Sequence, residues 1–186
     1  MTQSDLDRLR AQALTDPSVP EPVRAALLRG AALEEIRLDA TGRWWHQGEP
    51  FIHRGLQRLF YRNLHQSDGG TWLITLPPYS YPVIVEGCGR FIIRIRDRGT
   101  HVEATELDER RVLSTWDTLW TDGEDVVGLA LDGQPARCIG AAHATLLADV
   151  DVEDQGEWVL RRKGQTYPFT LRPRSLASPQ SARGAG

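Results

Sequence analysis

Apolar residues recur at helical spacing at the start of the chain. Leu6, Leu9, Ala13 and Leu14 share one side of a helix that Ser4 is placed to cap. Asp16-Pro17-Ser18-Val19-Pro20 interrupts it, and Pro22 suits the first turn of a second helix carrying Val23, Ala26, Leu27, Gly30 and Leu33. Two roles are open to this helical segment, residues 1–35: packing on the body of the protein, or docking a partner.

From Ile36 the period changes. Ile36-Arg37-Leu38 alternates as a short strand, Asp39-Ala40-Thr41-Gly42 turns, and Arg43-Trp44-Trp45-His46 forms a second strand. Gly48-Glu49-Pro50 is expected to break the sheet and open a helix whose buried face is Ile52, Leu56, Leu59, Phe60 and Leu64. Strands are expected at Trp72–Leu76 and Val83–Val85, then from Arg90 to Arg96, with Phe91, Ile93 and Ile95 on one face and Arg90, Arg94 and Arg96 on the other. Asp97-Arg98-Gly99 turns this strand into a partner over 100–107, a hairpin.

The same grammar returns over residues 108–171. Gly48-Glu49-Pro50 answers to Gly133-Gln134-Pro135, Gly70-Thr71-Trp72 to Gly156-Glu157-Trp158, and Tyr81-Pro82 to Tyr167-Pro168. Between the first two landmarks lies a second helix with Ile139, Ala142, Leu146 and Leu147 on its apolar face. Two repeats are expected, 36–107 and 108–171, each a strand–helix–strand unit with an open face that needs cover. The crevice between two such halves is a natural ligand position. Residues 172–186, mostly Arg, Pro, Ser, Ala and Gly, read as a disordered tail.

Composition narrows the class. The chain has 186 residues, is 40% hydrophobic and 25% charged, and carries a net charge of −3. That balance supplies no electrostatic case for a nucleic-acid polymer or an anionic membrane. Cys88 and Cys138 are too few for a disulfide scaffold and fit a reducing cytoplasm. No apolar run reaches the ~18 residues of a membrane span, and the opening residues lack the basic and apolar regions of a signal peptide. A cytoplasmic location is expected. Only one of the 22 basic residues, Lys163, is lysine.

Candidate chemistry is sparse. His46, His53 and His65 lack metal-ligand spacing, and no metal or other cofactor is expected. In Glu86-Gly87-Cys88-Gly89-Arg90 the glycines would expose a thiol that Arg90 could activate, but nothing places a histidine base nearby. No Walker loop, GxGxxG, GxSxG or HExxH occurs, so an enzyme is not expected. The acidic run 149–154 alternates like a solvated strand edge. Arg54, Arg58 and Arg62 step by four along the first-repeat helix; with Arg94 and Arg96 they are either a solvated face or receivers of phosphate. Six tryptophans serve the core or, in one or two cases, stack on a ligand or partner.

A site can be drawn from these residues. Arg54 begins a helix, where backbone N–H groups favour anions. Trp45 offers a flat surface one strand back, Tyr81 closes from the segment after the next strand, and Arg94 adds a second guanidinium. These four are the expected ligand-binding residues.

The stretch Gly42-Arg43-Trp44-Trp45-His46-Gln47-Gly48-Glu49-Pro50-Phe51-Ile52-His53-Arg54-Gly55-Leu56-Gln57-Arg58-Leu59-Phe60 resembles the bacterial domain-of-unknown-function family 1285, whose pattern runs like G-x-W-x-x-x-G-x-P-I-x-R-x-x-L-x-x-L-F. Gly42, Trp45 (or Trp44 with a slip of one), Gly48, Pro50, Arg54, Leu56, Leu59 and Phe60 carry the match, with Phe51 as a local insertion. Where the family has T-P-V-E-K, this chain has Leu76-Pro77-Pro78-Tyr79-Ser80-Tyr81, without the Glu–Lys pair. The resemblance implies a duplicated α+β fold whose C-terminal half is superficially like a pleckstrin-homology domain. It also implies a nucleotide-like ligand between the halves and a signalling role, with no established activity.

The expectation is therefore an α+β protein of two repeated strand–helix–strand units with antiparallel sheets, preceded by N-terminal helices. Its expected function is that of a non-enzymatic cytoplasmic module binding a small anionic, nucleotide-like ligand between its repeats. A protein–protein adaptor using the N-terminal helices or an exposed aromatic face is the alternative.

Overall fold

The two expected N-terminal helices form as α1 (Gln3–Thr15) and α2 (Glu21–Leu28), with Pro22 in the first turn of α2. The computed structural model describes residues 3–153 and 156–172. Helix α2 stops short of Gly30, whose φ of +89° ends the helix in a conformation that glycine tolerates. Ala13, Val19 and Leu27 from this region bury themselves with Leu73, and Leu14, Val23 and Leu33 pack around them. The segment is thus a packing element of the body.

The chain divides into two compact units, Met1–Gly89 and Arg90–Gly186. In the first, β1 (Ile36–Leu38), β2 (Trp44–His46) and β3 (Glu49–Pro50) precede α3 (Arg54–Arg62), followed by β4 (Leu64–Gln66), β5 (Trp72–Leu76), β6 (Tyr79–Pro82) and β7 (Ile84–Val85). One sheet runs β3-β2-β1-β7 and another β4-β5-β6. Gly48-Glu49-Pro50 does not open a helix. Gln47 and Gly48 both have positive φ, 49° and 82°, making a two-residue hairpin turn that pairs Glu49 with His46.

The helix starts only after this hairpin, with His53 as its cap, and the expected buried stripe changes accordingly. Ile52 lies before the helix and is 90% exposed, Leu59 is also exposed, and Leu64 has passed into β4. Tyr61 is the buried residue of α3. Phe60 meets Trp44 and Phe51 edge-on, with ring centroids 5.5 and 5.4 Å apart.

The second unit contains β8 (Phe91–Asp97), β9 (His101–Glu106) and β10 (Arg111–Thr115), then β11 (Leu119–Thr121), β12 (Val127–Leu131), β13 (Gln134–Cys138), α4 (Gly140–Leu147), β14 (Val150–Val152), β15 (Trp158–Arg162), β16 (Gln165–Pro168) and β17 (Thr170–Leu171). Its large sheet runs β10-β9-β8-β13-β12-β11-β17, and β14-β15-β16 form a smaller one. Strand β8 pairs in parallel with β13, so β8 and β9, expected within the 36–107 segment, count with the second unit. A bulge between Ile92 and Arg94 alters the expected faces of β8: Phe91, Ile92 and Ile95 are buried, while Ile93 is only partly so. Helix α4 packs Ala142 and Leu146 into a core with Ile92, Leu129 and Leu160.

Elements β1–β3, α3 and β4–β7 recur in order as β11–β13, α4 and β14–β17. The antiparallel β1–β2 and parallel β1–β7 pairs answer to β11–β12 and β11–β17. Ile74 pairs with Tyr81 as Leu160 pairs with Tyr167. Val83 N–H donates to Trp72 C=O at 2.9 Å, as Phe169 N–H does to Trp158 C=O at the same distance. The spaced landmarks fall at matching places in this recurring order of elements. Of the residues expected as a tail only Arg172 is described, its N–H donating to Thr121 C=O at 2.7 Å; the others lie outside the described residues. No described helix is long and apolar enough to cross a membrane.

Candidate functional site

In the second unit a pocket of about 270 Å³ is lined by Asp97, Gly99, Thr100, Trp116, Arg162, Lys163, Gln165 and Tyr167. Its volume is near the lower bound, ~300 Å³, of small-molecule sites. The turn between β8 and β9 supplies one wall. Gly99, at φ +83°, donates its N–H to the Asp97 carboxylate at 2.7 Å and accepts the indole N–H of Trp116 at 3.2 Å. Trp116, from the short 3₁₀ turn before β11, is buried, and the Tyr167 ring lies 6.2 Å from it.

The cations come from the hairpin between β15 and β16. Lys163 and Gly164 both have positive φ, 49° and 78°, and form its two-residue turn. Arg162, whose side chain is 19% exposed, lays its guanidinium 4.9 Å over the Trp116 ring and donates Nε–H to Asp149 at 2.7 Å. Among the described residues its terminal amino groups have no protein partner. Ring and carboxylate hold the fork in place, so less side-chain freedom is lost when it binds an anion. Lys163 Nζ lies 2.9 Å from Asp97. The hydrogen bond from Lys163, joined by the Gly99 N–H, holds the Asp97 carboxyl below its ordinary pKa.

The first copy of the fold fills the corresponding positions differently. By strand register Tyr81 is the counterpart of Tyr167. The Tyr81 hydroxyl accepts from Glu34 N–H at 2.6 Å and donates to Glu34 C=O at 3.1 Å. Its burial raises the pKa of the phenol. Where the second copy has Arg162-Lys163-Gly164-Gln165, the first has Leu76-Pro77-Pro78-Tyr79. The basic hairpin belongs to one copy only.

None of the four residues expected from the sequence lines this pocket. Trp45 is half-buried on β2, its indole N–H donating to Asp39 at 2.7 Å with the Arg37 guanidinium 5.1 Å over the ring. Arg37 also bonds Glu86 at 2.8 Å and Glu35 at 3.2 Å. Burial opposes its charge, but these carboxylates outweigh it and raise the Arg37 pKa. Arg54 is exposed at the first position of α3, where the His53 side chain already accepts the Leu56 N–H at 3.0 Å. Arg94 is exposed on β8, in the second unit. Lys163 was visible in the sequence as the sole lysine, but its spacing from Gly99 and Trp116 offered no local signal.

Other chemistry-bearing groups have structural duties. Gly89 sits where a Cβ would come within 2.5 Å of Trp72, so the glycines around Cys88 serve a turn and a close approach. His46 bonds Glu34 at 3.1 Å, and His53 caps α3. Asp122, Glu124 and Asp125 bring carboxylates within 4.8 Å of one another. Asp122 there accepts the N–H groups of Glu124 and Val126 at 3.0 and 2.9 Å, which closes the turn.

No family model matches the chain, and no curated protein does. Two solved structures are similar to the chain, the first of them in fold. One is a DUF1285 family protein from Silicibacter pomeroyi DSS-3, with a TM-score of 0.56 and 15% identity over 75% of this chain and 81% of that one. Another, a DUF1285 family protein from Shewanella baltica OS155, has a TM-score of 0.46 and 16% identity over 62% of this chain and 91% of its own. The α+β fold is thus similar to that of a DUF1285 family protein, in keeping with the sequence resemblance.

Proposed function

We propose that this chain is a non-catalytic, regulatory binding module that takes a small anionic, nucleotide-like ligand in the second-unit pocket. The observation that carries this reading is Arg162. Its side chain is mostly buried, with the guanidinium stacked on Trp116 and fixed by Asp149, yet its terminal amino groups make no hydrogen bond or salt bridge to a described residue. A guanidinium held this way is prepared for a phosphate or carboxylate oxygen. Tyr167 and Gln165 add an aromatic edge and an amide for the uncharged part of such a ligand.

Calorimetric titration of the full chain with inorganic phosphate, nucleoside phosphates and an aromatic carboxylate tests the reading. Arg162→Gln is expected to weaken the tightest of these probes at least ~10-fold, the low end for a charged hydrogen bond. A wild-type chain that binds none of them would overturn it.

A second reading, the protein–protein adaptor, draws on a different observation: Ile52 is 90% and Leu28 75% exposed, both in the first unit. If they dock a partner, Ile52→Asp should abolish its co-purification without changing the melt of the chain.

A further inference from the structure

Resting on the anion-binding reading, we infer that Asp97 is a charge filter: it makes the pocket select an anionic group carrying one negative charge over a group carrying two. The second-unit pocket places a fixed carboxylate among its cations. Lys163 reaches the site already paired with Asp97 at 2.9 Å, and Arg162 is already paired through Nε with Asp149 at 2.7 Å. These four groups sum to zero formal charge. An incoming anion therefore meets two cations whose fields are largely cancelled.

Asp97 cannot easily withdraw. Its carboxylate also accepts the N–H of Gly99, the turn residue whose carbonyl receives the Trp116 indole. The carboxylate is consequently part of the pocket wall rather than a tethered surface charge. A ligand oxygen that bonds Lys163 must share that ammonium with Asp97 and lie close to it. Repulsion by a fixed charge scales with the charge of the visitor, so a second negative charge adds cost at Asp97 while Lys163 remains only partly available. A phosphodiester or a carboxylate satisfies Arg162 and Lys163 with one charge. A phosphate monoester near neutral pH carries between ~1.5 and 2.

The pocket volume of about 270 Å³ sets the other limit. It suits one ring system and one anionic group, with the Tyr167 ring and Gln165 in the lining beside the cations. The ligand class is thus a small ring-bearing molecule with a singly charged anionic group.

A pair of probes isolates the charge. A nucleoside 3′,5′-cyclic monophosphate and the 5′-monophosphate of the same nucleoside share base and sugar but differ by about one charge at neutral pH. In calorimetric titrations at low ionic strength the wild-type chain is expected to bind the cyclic diester at least ~5-fold tighter than the monoester. Asp97→Asn keeps an acceptor for the Gly99 N–H while removing the charge. It should tighten the monoester most and bring the two affinities within about twofold. Asp97→Ser is the second variant, with melts of both, should the asparagine protein not fold.

Equal affinities in the wild type, preference for the monoester, or a ratio that both variants leave unchanged would overturn the filter. Each of these outcomes would leave the anion-binding reading standing. A wild-type chain that binds neither probe overturns the filter, and the anion-binding reading falls only if phosphate and the aromatic carboxylate also fail to bind.

Discussion

Glu106→Ala is expected to destabilise the protein by about 3–5 kcal/mol, the cost of removing one member of a buried ion pair. Glu106 is fully buried at the end of β9. Both of its oxygens accept from Arg90, each at 2.8 Å, and Oε2 also accepts Arg110 Nε–H at 2.8 Å. Arg90, with its side chain 18% exposed, also donates to Leu131 C=O at 2.6 Å, tying the start of β8 to the end of β12. The hydrogen bonds to Glu106 are the main reason that the Arg90 pKa is raised. Alanine would take the two-oxygen acceptor from that guanidinium, which keeps the Leu131 carbonyl and, at 3.4 Å, the Asp132 carboxylate. Arg110→Ala is the control: its side chain is 55% exposed, and its loss should cost no more than ~1 kcal/mol. Denaturant unfolding of the two full-length variants measures both. A Glu106→Ala deficit below ~1 kcal/mol would remove the cluster from the list of structural anchors.

Asp16 anchors the first unit in a comparable way and adds a pH signature. It is 3% exposed between α1 and α2, and its carboxylate accepts Ser18 N–H at 2.9 Å, Thr71 N–H at 3.3 Å and the Ser67 hydroxyl. Burial alone would raise its pKa, but bonds from Ser67, Thr71 and Ser18 together lower it to about 2. Gly69 is required beside it, because a Cβ there would come within 2.2 Å of the carboxylate. Asp16→Ala should cost about 2–3 kcal/mol, since it leaves several buried donors unmatched.

The sign of the pH effect follows from the lowered pKa. The charged carboxylate contributes fully above the ordinary pKa of 3.8, and this contribution is lost as pH falls toward about 2. The stability gap between wild type and Asp16→Asn should therefore be constant from pH 7 to 5 and shrink between pH ~4 and ~2. Thermal melts across that range check it; a gap that does not narrow would mean that the charge of Asp16 is not what the first unit uses.

How much of this was legible depends on how local the determinant is. Pro22 and the proline-rich break placed α1 and α2, because a missing N–H and a fixed φ act within one turn of chain. The recurring Gly-x-Pro, Gly-x-Trp and Tyr-Pro landmarks exposed the repeat, because equivalent turns and strand ends demand similar residues in each copy. The Gly-x-Pro motif was nevertheless assigned to the wrong side of its element. Gln47-Gly48 and Asp132-Gly133 are hairpin turns, so the proline that follows belongs to a strand. The face of β8 departs from simple alternation only at Ile92 and Ile93, where the bulge turns Ile92 inward; Arg94, Ile95 and Arg96 keep the expected sides.

The candidate site was less legible still. Trp45, Arg54, Tyr81 and Arg94 are joined in the sequence only by their nearness to one helix start, which does not fix where their side chains meet. The sequence by itself determined the α+β class, the two N-terminal helices, six strands between residues 36 and 107 and the recurrence of its turn landmarks, because hydrophobic period and turn chemistry act over a few residues. Only the tertiary structure showed the pocket in the second unit. That pocket joins Gly99, Trp116, Arg162 and Tyr167 across long stretches of chain, and its basic hairpin gains meaning only when strand pairing brings it over the Trp116 ring.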